Sequence, residues 1–463
     1  MAYSPITDLN LGSLLQIVFS DGVRNQISED YRDWDAVMRH RYGNSAAREM
    51  KFMFQSGYGP SAIQYAQPGK SGRAFPRAQQ STINEYTAKF KEINATIELE
   101  YNLWDRARKS PEKYAEPLAI EIMSKTTASK RRLAADYYGA GLGIIGTLAS
   151  SALEAGQLRV TLDASNAANG HVGFFEFDDI LVLRSDAETV SGVANASSDV
   201  YTYSAGGPVV YWRVVDKERD NESVLLEALD ANYDSLILSA ITVPATAGDF
   251  FLRSGQPTKR APSAFSGDFG QATEVIAGLE SLVAADARVI HGITMQGSSK
   301  GTRVGANGQP LDVSYIQKAL DKVKVAVGAD KYRWKYMCMA PEAHAALIES
   351  RESDRRFQTI QDNARGINYF AYQHGNDSVE TITSEYCPKK RLYIKPEAKS
   401  SEKVFEYWGS DFETVKAQGM ADFHLKPSAG GGYENTITSF LQAIGVLVCK
   451  HPASVATLED FTL

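Results

Sequence analysis

The sequence is poor in the residues that reactive chemistry needs. Three cysteines, Cys338, Cys387 and Cys449, serve 463 residues. They are odd in number and far apart, which excludes a disulfide framework and a C-x-x-C zinc site and suits a reducing cytoplasm. The seven histidines (His40, His171, His291, His344, His374, His424 and His451) include no pair at ligand spacing and no H-E-x-x-H. An α/β-hydrolase nucleophile elbow is not expected. These absences assign no catalytic residue, no metal and no cofactor, and they predict a protein that is not an enzyme.

Charge of one sign is also lacking. Lys and Arg total 49 against 56 Asp and Glu, for a net charge of −7, and the cations are interspersed among the acids. A nucleic-acid grip needs concentrated positive charge, so nucleic acid near this chain is expected to be enclosed rather than bound. The start, MAYSPITDLN, lacks the basic and apolar regions of a signal peptide. The longest uncharged run, 137–153, is short for a membrane span and rich in Gly, Ala and Ser, and it reads as a packed turn. Length allows roughly two to four domains with a sizeable core.

Within that run stands YYGAGLGIIG, where Gly141, Gly143 and Gly146 form a G-x-G-x-x-G. A dinucleotide fold needs a buried strand before those glycines and a helix after them. What precedes them carries Lys125, Lys130, Arg131, Arg132 and Asp136, with Tyr114, Leu118, Ile122, Leu133 and Tyr137 stepping mainly by four. That is a helix face, opened near Pro111 and closed by Gly139. The helix is expected over about 112–138, roughly 40 Å long. A nucleotide-dependent enzyme using Gly141, Gly143 and Gly146 stays as the rival from another class. Gly69-Lys70-Ser71 ends like a phosphate loop, but Gln64 stands where that loop needs glycine.

The rest of the chain divides by pattern. Residues 1–50 read as an arm that must lie on something else. Residues 55–80 are loop-like, with recurrent Gly and Pro. In INATIELEYNL, Ile93, Ala95, Ile97, Leu99, Tyr101 and Leu103 alternate with polar residues, while Tyr86, Ala88 and Phe90 alternate in the opposite phase. A two-faced hairpin with a break near Lys91-Glu92 is expected, lying on its own domain or reaching a neighbouring subunit. Strand-like runs LRVTLDA, FFEFDDILVLRS, VVYWRVVDKE, SVLLEAL, SLILSAITV and DFFLRSG predict a small β-barrel or sandwich. Glu176, Asp178 and Asp179 are read as barrel-edge charges. Helical pattern resumes at QATEVIAGLESLVAADARV and at 312–327, where Ile316, Leu320, Val323 and Val327 share a face. KYMCMAPEAHAALIES reads strand, turn, helix, and a buried strand is expected at Ala443–Cys449.

That order of parts resembles the major capsid protein of tailed bacteriophages, the Hong Kong 97-type fold. Local phrases carry the resemblance: LAADYYGAGLG is similar to the end of the family's spine helix, and GLESLVAADARVIHGIT with QGSSKGTRVGANG to the stretch before its apical domain. KYMCMAPEAHAALIES and AIGVLVCKHPASVATLEDF are similar to its later strand–helix and its closing strand.

The resemblance implies an α+β capsid fold: an N-terminal arm at 1–50, an extended β-hairpin loop at 51–107, and a peripheral domain with spine helix at 108–163. An inserted small β-barrel follows at 164–256, an axial domain at 257–390, and a return through peripheral and axial domains at 391–463. It implies self-assembly into hexamers and pentamers of an icosahedral shell that encloses double-stranded DNA, in a virion assembled in a bacterial cytoplasm. A separate scaffolding protein, a portal and decoration proteins are the further partners it suggests. No coiled coil precedes the arm, so no maturation cleavage is expected. Trp34, Lys70, Phe75, Tyr86, Phe90 and Tyr101 are the candidate inter-subunit contacts, and Lys70, Lys89 and Lys91 the candidate cross-linking lysines. An encapsulin-type cargo compartment is the alternative within the fold.

Overall fold

The computed structural model describes residues 38–41, 49–57, 82–102, 105, 117–163, 170–184, 210–230, 235–236, 249–253, 275–282, 289–290, 293–294, 302–327, 332–350, 371–374, 377–398, 405–409, 413–414, 424–427, 433–449 and 454–463. In chain order, the first strands are β1 (Met38–Arg41), β2 (Glu49–Gly57), β3 (Thr82–Lys89) and β4 (Lys91–Glu100). Helix α1 (Pro117–Tyr138) leads into β5 (Ile144–Glu154), β6 (Gln157–Leu162), β7 (Ile180–Arg184), β8 (Tyr211–Glu218), β9 (Ser223–Leu229) and β10 (Phe250–Arg253). Then come α2 (Leu279–Leu282), β11 (Val289–Ile290), β12 (Ile293–Thr294), β13 (Thr302–Gly305), α3 (Val313–Val327), β14 (Tyr332–Met339) and α4 (Pro341–Ser350). The last strands are β15 (Ala371–His374), β16 (Asp377–Thr383), β17 (Arg391–Ala398), β18 (Phe405–Gly409), β19 (Glu413–Thr414), β20 (His424–Pro427), β21 (Tyr433–Cys449) and β22 (Ala456–Glu459).

Among the described residues stand two six-stranded sheets, a closed barrel and the two-stranded pairs β2-β3 and β11-β12. In the first sheet the 17-residue β21 is the hub, pairing β4, β18, β19 and β20, while β1 adds in parallel to β18. The second sheet runs β13-β22-β17-β14-β16-β15. Ile316, Ala319, Leu320 and Val323 of α3 and Ala343 and Leu347 of α4 share its apolar core. Their spacing is the helical stripe that a sheet face covers. The barrel closes in the order β10-β5-β6-β9-β8-β7. Its interior alternates as period two requires, with Leu158, Val160 and Leu162 of β6 buried between half-exposed neighbours.

Several expectations need correction. The barrel begins at Ile144, twenty residues ahead of the 164 boundary, because the uncharged run read as a turn is a turn only over 139–143 and then β5. FFEFDDILVLRS is a strand only from Ile180, since Val172–Phe174 is a 3-10 turn. The arms of the hairpin are β2 and β3, not the INATIELEYNL strand, which ends at Glu100 and joins β21. The break falls at Phe90, where the chain changes partner instead of reversing. Helix α1 is described from Pro117, and of QATEVIAGLESLVAADARV only Leu279–Leu282 is helical among the described residues. Finally, β17 and β22 lie in the second sheet while β18 to β21 lie in the first, so the last stretch crosses between them.

Candidate assembly surface and the polar joint

The β2–β3 hairpin has one supported end and one free-standing face. Its register puts Phe52 opposite Tyr86, Met50 opposite Ala88, Met53 opposite Glu85 and Gln55 opposite Ile83. At the root Ala88 is fully buried with Val446 and Val448 of β21, and Phe52, Phe90 and Trp408 pack against them. On the opposite face Met53 is 78% and Ile83 62% exposed. They are diagonal cross-strand neighbours, close enough to form one apolar spot. Beside them Lys51 Nζ lies 2.8 Å from Glu85 Oε1, a bond that holds the lysine above its ordinary range. Such an exposed pair adds little stability. The residues above the root are therefore held mainly by the backbone ladder between two strands, which is marginal in isolation.

The candidate contact residues fall unevenly on this geometry. Phe90 is half-buried at the partner switch, and Tyr101, just past β4, is 39% exposed. The backbone of Tyr86 is placed in β3, but its side chain, like Trp34, Lys70 and Phe75, lies outside the described residues. Of the lysines, Lys89 is exposed and Lys91 is buried at the start of β4.

The glycines do not form a nucleotide cradle. A helix precedes them and a strand follows, the reverse of the required order. The carbonyl end of α1 faces them, and the partial negative charge of a helix C-terminus repels phosphate. Gly141 has φ +80°, and a Cβ there would lie 2.8 Å from Ala277 Cα. At Gly146 a Cβ would meet the Phe175 ring at 2.8 Å and Leu162 at 2.9 Å. The space lined by Gly141 and Gly143 is about 10 Å³, room for one water at most. These glycines let α1, the barrel and the 275–282 segment approach one another. The sequence also holds a G-x-S-x-G, Gly297-Ser298-Ser299-Lys300-Gly301. Its described flanks are β12 and β13, two strands, whereas a nucleophile elbow needs strand, turn, helix.

Where barrel and body meet, charged side chains interlock. Arg131 of α1 points Nη2 at Glu176 Oε2, 2.5 Å away, and its Nε donates to the Tyr386 hydroxyl at 3.1 Å. That hydroxyl donates to Glu176 Oε1 at 3.2 Å. Burial opposes the charge on Arg131, but Tyr386 and Glu176 outweigh it and hold its pKa up. Burial raises the Glu176 carboxyl and, with Glu176 beside it, the Tyr386 phenol.

Arg219, in the turn after β8, grips Glu342 of α4 with both arms, Nε to Oε1 at 2.5 Å and Nη2 to Oε2 at 3.1 Å, and also donates to the Glu385 carbonyl. Lys389 donates to the Arg219 carbonyl and lies 3.4 Å from Glu222. Arg253 of β10 donates to Asp179 at 2.8 Å and to the Phe174 carbonyl at 2.7 Å. Asp179 thus pairs with the buried Arg253 and Glu176 with the half-buried Arg131, so neither is a barrel-edge charge.

His171 completes the joint. Its Nδ1 accepts from Gly173 N at 3.1 Å, so Nε2 carries the proton and donates to the Tyr386 carbonyl at 2.8 Å. Burial first, then the charge of Arg219, lowers its pKa to about 3. Among the described residues no group of three or more His, Cys, Asp or Glu side chains could hold a metal ion, and no helix is long and apolar enough to cross a membrane.

No protein-family model matches the chain, and no curated protein does. Solved structures resemble it along almost its whole length at low identity. The chain of the Cyanophage A-1(L) capsid asymmetric unit is 10% identical, with 99% of this chain and 100% of that one covered and a TM-score of 0.48. The capsid of an empty GTA particle is 10% identical, covers 100% of both chains and has a TM-score of 0.44. The holo-SrpI encapsulin complex from Synechococcus elongatus PCC 7942 is 8% identical, with 98% and 96% covered and a TM-score of 0.40.

Proposed function

We propose that this chain is a shell-forming major capsid protein of the Hong Kong 97 type, which polymerises around double-stranded DNA and carries out no chemistry of its own. The observation that carries the reading is the β2–β3 hairpin. Its root packs on the first sheet at Ala88, and it bears the exposed pair Met53 and Ile83. Two exposed apolar side chains on a two-stranded hairpin suit a surface that a neighbouring subunit covers. The order of hairpin, long helix, barrel, helix-backed sheet and closing strands supports the same reading.

Assembly then follows from many weak contacts whose effects multiply once several are made together. Net negative charge keeps the inner wall from adhering to enclosed DNA. In this reading the barrel is an insertion between α1 and the axial region, held fast by the polar joint. Arm, scaffold, portal and decoration contacts belong to the same reading.

The test is to express the chain alone and combine sedimentation velocity with negative-stain electron microscopy. Shells, or five- and six-membered rings, are expected. A monomer or small dimer that persists at high concentration and with crowding agents overturns the proposal. Particles that enclose protein cargo instead of DNA in the native source favour the encapsulin-type alternative.

A further inference from the structure

The barrel core and the barrel's attachment are built from different chemistry. Val160, Leu181, Leu183, Leu226 and Phe251 of the core are fully buried and do not titrate. The attachment consists of contacts that each need one protonation state. His171 must be neutral to accept from Gly173 while donating to Tyr386. Glu342 must be charged to hold Arg219, and beside it Lys389 meets Glu222. Glu176 and Tyr386 share Arg131.

We propose that this joint is an acid-opened latch: protonation of His171, with neutralisation of Glu342, undocks the folded barrel from α4 and the 384–391 segment.

Geometry makes His171 the trigger. A second ring proton turns Nδ1 into a donor facing the Gly173 N–H. The charge it adds falls among cations from each element packed on it: Lys217 of β8, Arg219 of the turn after it, and Lys389 of the 384–391 segment. A cleft of about 390 Å³ runs past His171, giving solvent a route in. Across it stand Asp220 and Glu222 on the barrel side, Lys389, Lys390 and Arg391 on the sheet side, and Asp460 near the end of the chain. Glu385 and Glu176 approach from the Arg131 side. Glu176 does not drive the opening, because burial already favours its neutral form. Once it is neutral, Arg131 keeps the Tyr386 hydroxyl and Glu385, 3.7 Å away.

Hydrogen exchange of the full, unassembled chain, compared as protection factors from neutral pH downward, tests the latch. Amides of 171–175, 219–222 and 384–391 are expected to lose protection at a higher pH than those of β6 and β9. Simultaneous loss, or a joint that stays protected until the whole chain unfolds, overturns the proposal. His171→Gln keeps an N–H donor for Tyr386 but cannot titrate, and is expected to move joint opening to lower pH by about half a unit or more. If that variant does not fold, Glu342→Gln on α4 is the second probe. It should move opening to higher pH, because Arg219 loses its charged partner. An opening pH that stays unchanged in the variant that folds overturns the latch.

Discussion

Arg131 Nη2 and Glu176 Oε2 lie 2.5 Å apart, each side chain only 16% exposed, and this pair joins the longest described helix to the barrel. Glu176 Oε2 meets Nη2 without hydrogen-bond alignment, so the attraction is that of an ion pair. Breaking such a pair on one side is costlier than replacing both sides, because the remaining carboxyl must stay unpaired or take up a proton. Arg131→Ala should destabilise the unassembled chain by about 3 kcal/mol, the lower end for buried pairs. The double variant Arg131→Met with Glu176→Met should recover most of that loss. Urea midpoints of the three proteins check both statements.

Stability should fall in acid with a sign set by His171. Its folded pKa, about 3, lies below its ordinary value of 6.5. Between the two, the unfolded chain binds the proton and the folded chain does not, so acid favours unfolding. The contribution is fully present above about pH 6.5 and is lost as pH falls toward 3, at up to about 1.4 kcal/mol per unit. His171→Gln should flatten the slope of unfolding free energy against pH in this window. An unchanged slope would show that other groups produce it.

The glycines should prove to be packing positions. Gly146→Ala drives a methyl into Phe175 and Leu162 and should cost about 1–3 kcal/mol by overpacking. Gly141→Ala adds a positive-φ penalty to a contact with Ala277. Calorimetric titration of the native chain with ATP or NAD should give no binding heat. Micromolar binding abolished by either substitution would revive the rival enzyme.

At the hairpin, Met53→Lys with Ile83→Lys should leave the unfolding free energy within about 0.5 kcal/mol, since both side chains are exposed and the lysine at position 53 would face Glu85. Under the shell proposal the same variant should stay as unassembled subunits in sedimentation velocity. Normal shells from this variant would remove the hairpin face from the assembly contacts.

What could be read in advance was local. The step of four through Leu133 and Tyr137, and the stripe Ile316, Leu320 and Val323, come out as α1 and α3. Period two in Ile93 to Leu99 came out as a strand, and the runs LRVTLDA, VVYWRVVDKE, SVLLEAL and DFFLRSG came out as barrel strands, while SLILSAITV lies almost wholly outside the described residues. Strand β5 was missed because Ala149, Ser150, Ser151 and Ala152 are small and uncharged, and they carry no alternation to detect. The polar joint was missed because Arg131, Glu176 and Tyr386 have no spacing in common.

The sequence by itself determined that Pro117–Tyr138 and Val313–Val327 are helical, which faces of them are apolar, and that reactive groups are sparse, because these follow from neighbours within one or two turns. Only the tertiary structure decided that β4 leaves β3 to pair β21, that the six barrel strands close, and that Glu176 and Asp179 pair with Arg131 and Arg253. Strand partners and buried ion pairs are contacts between distant parts of the chain, and period-two alternation fixes a strand's face without naming its neighbour.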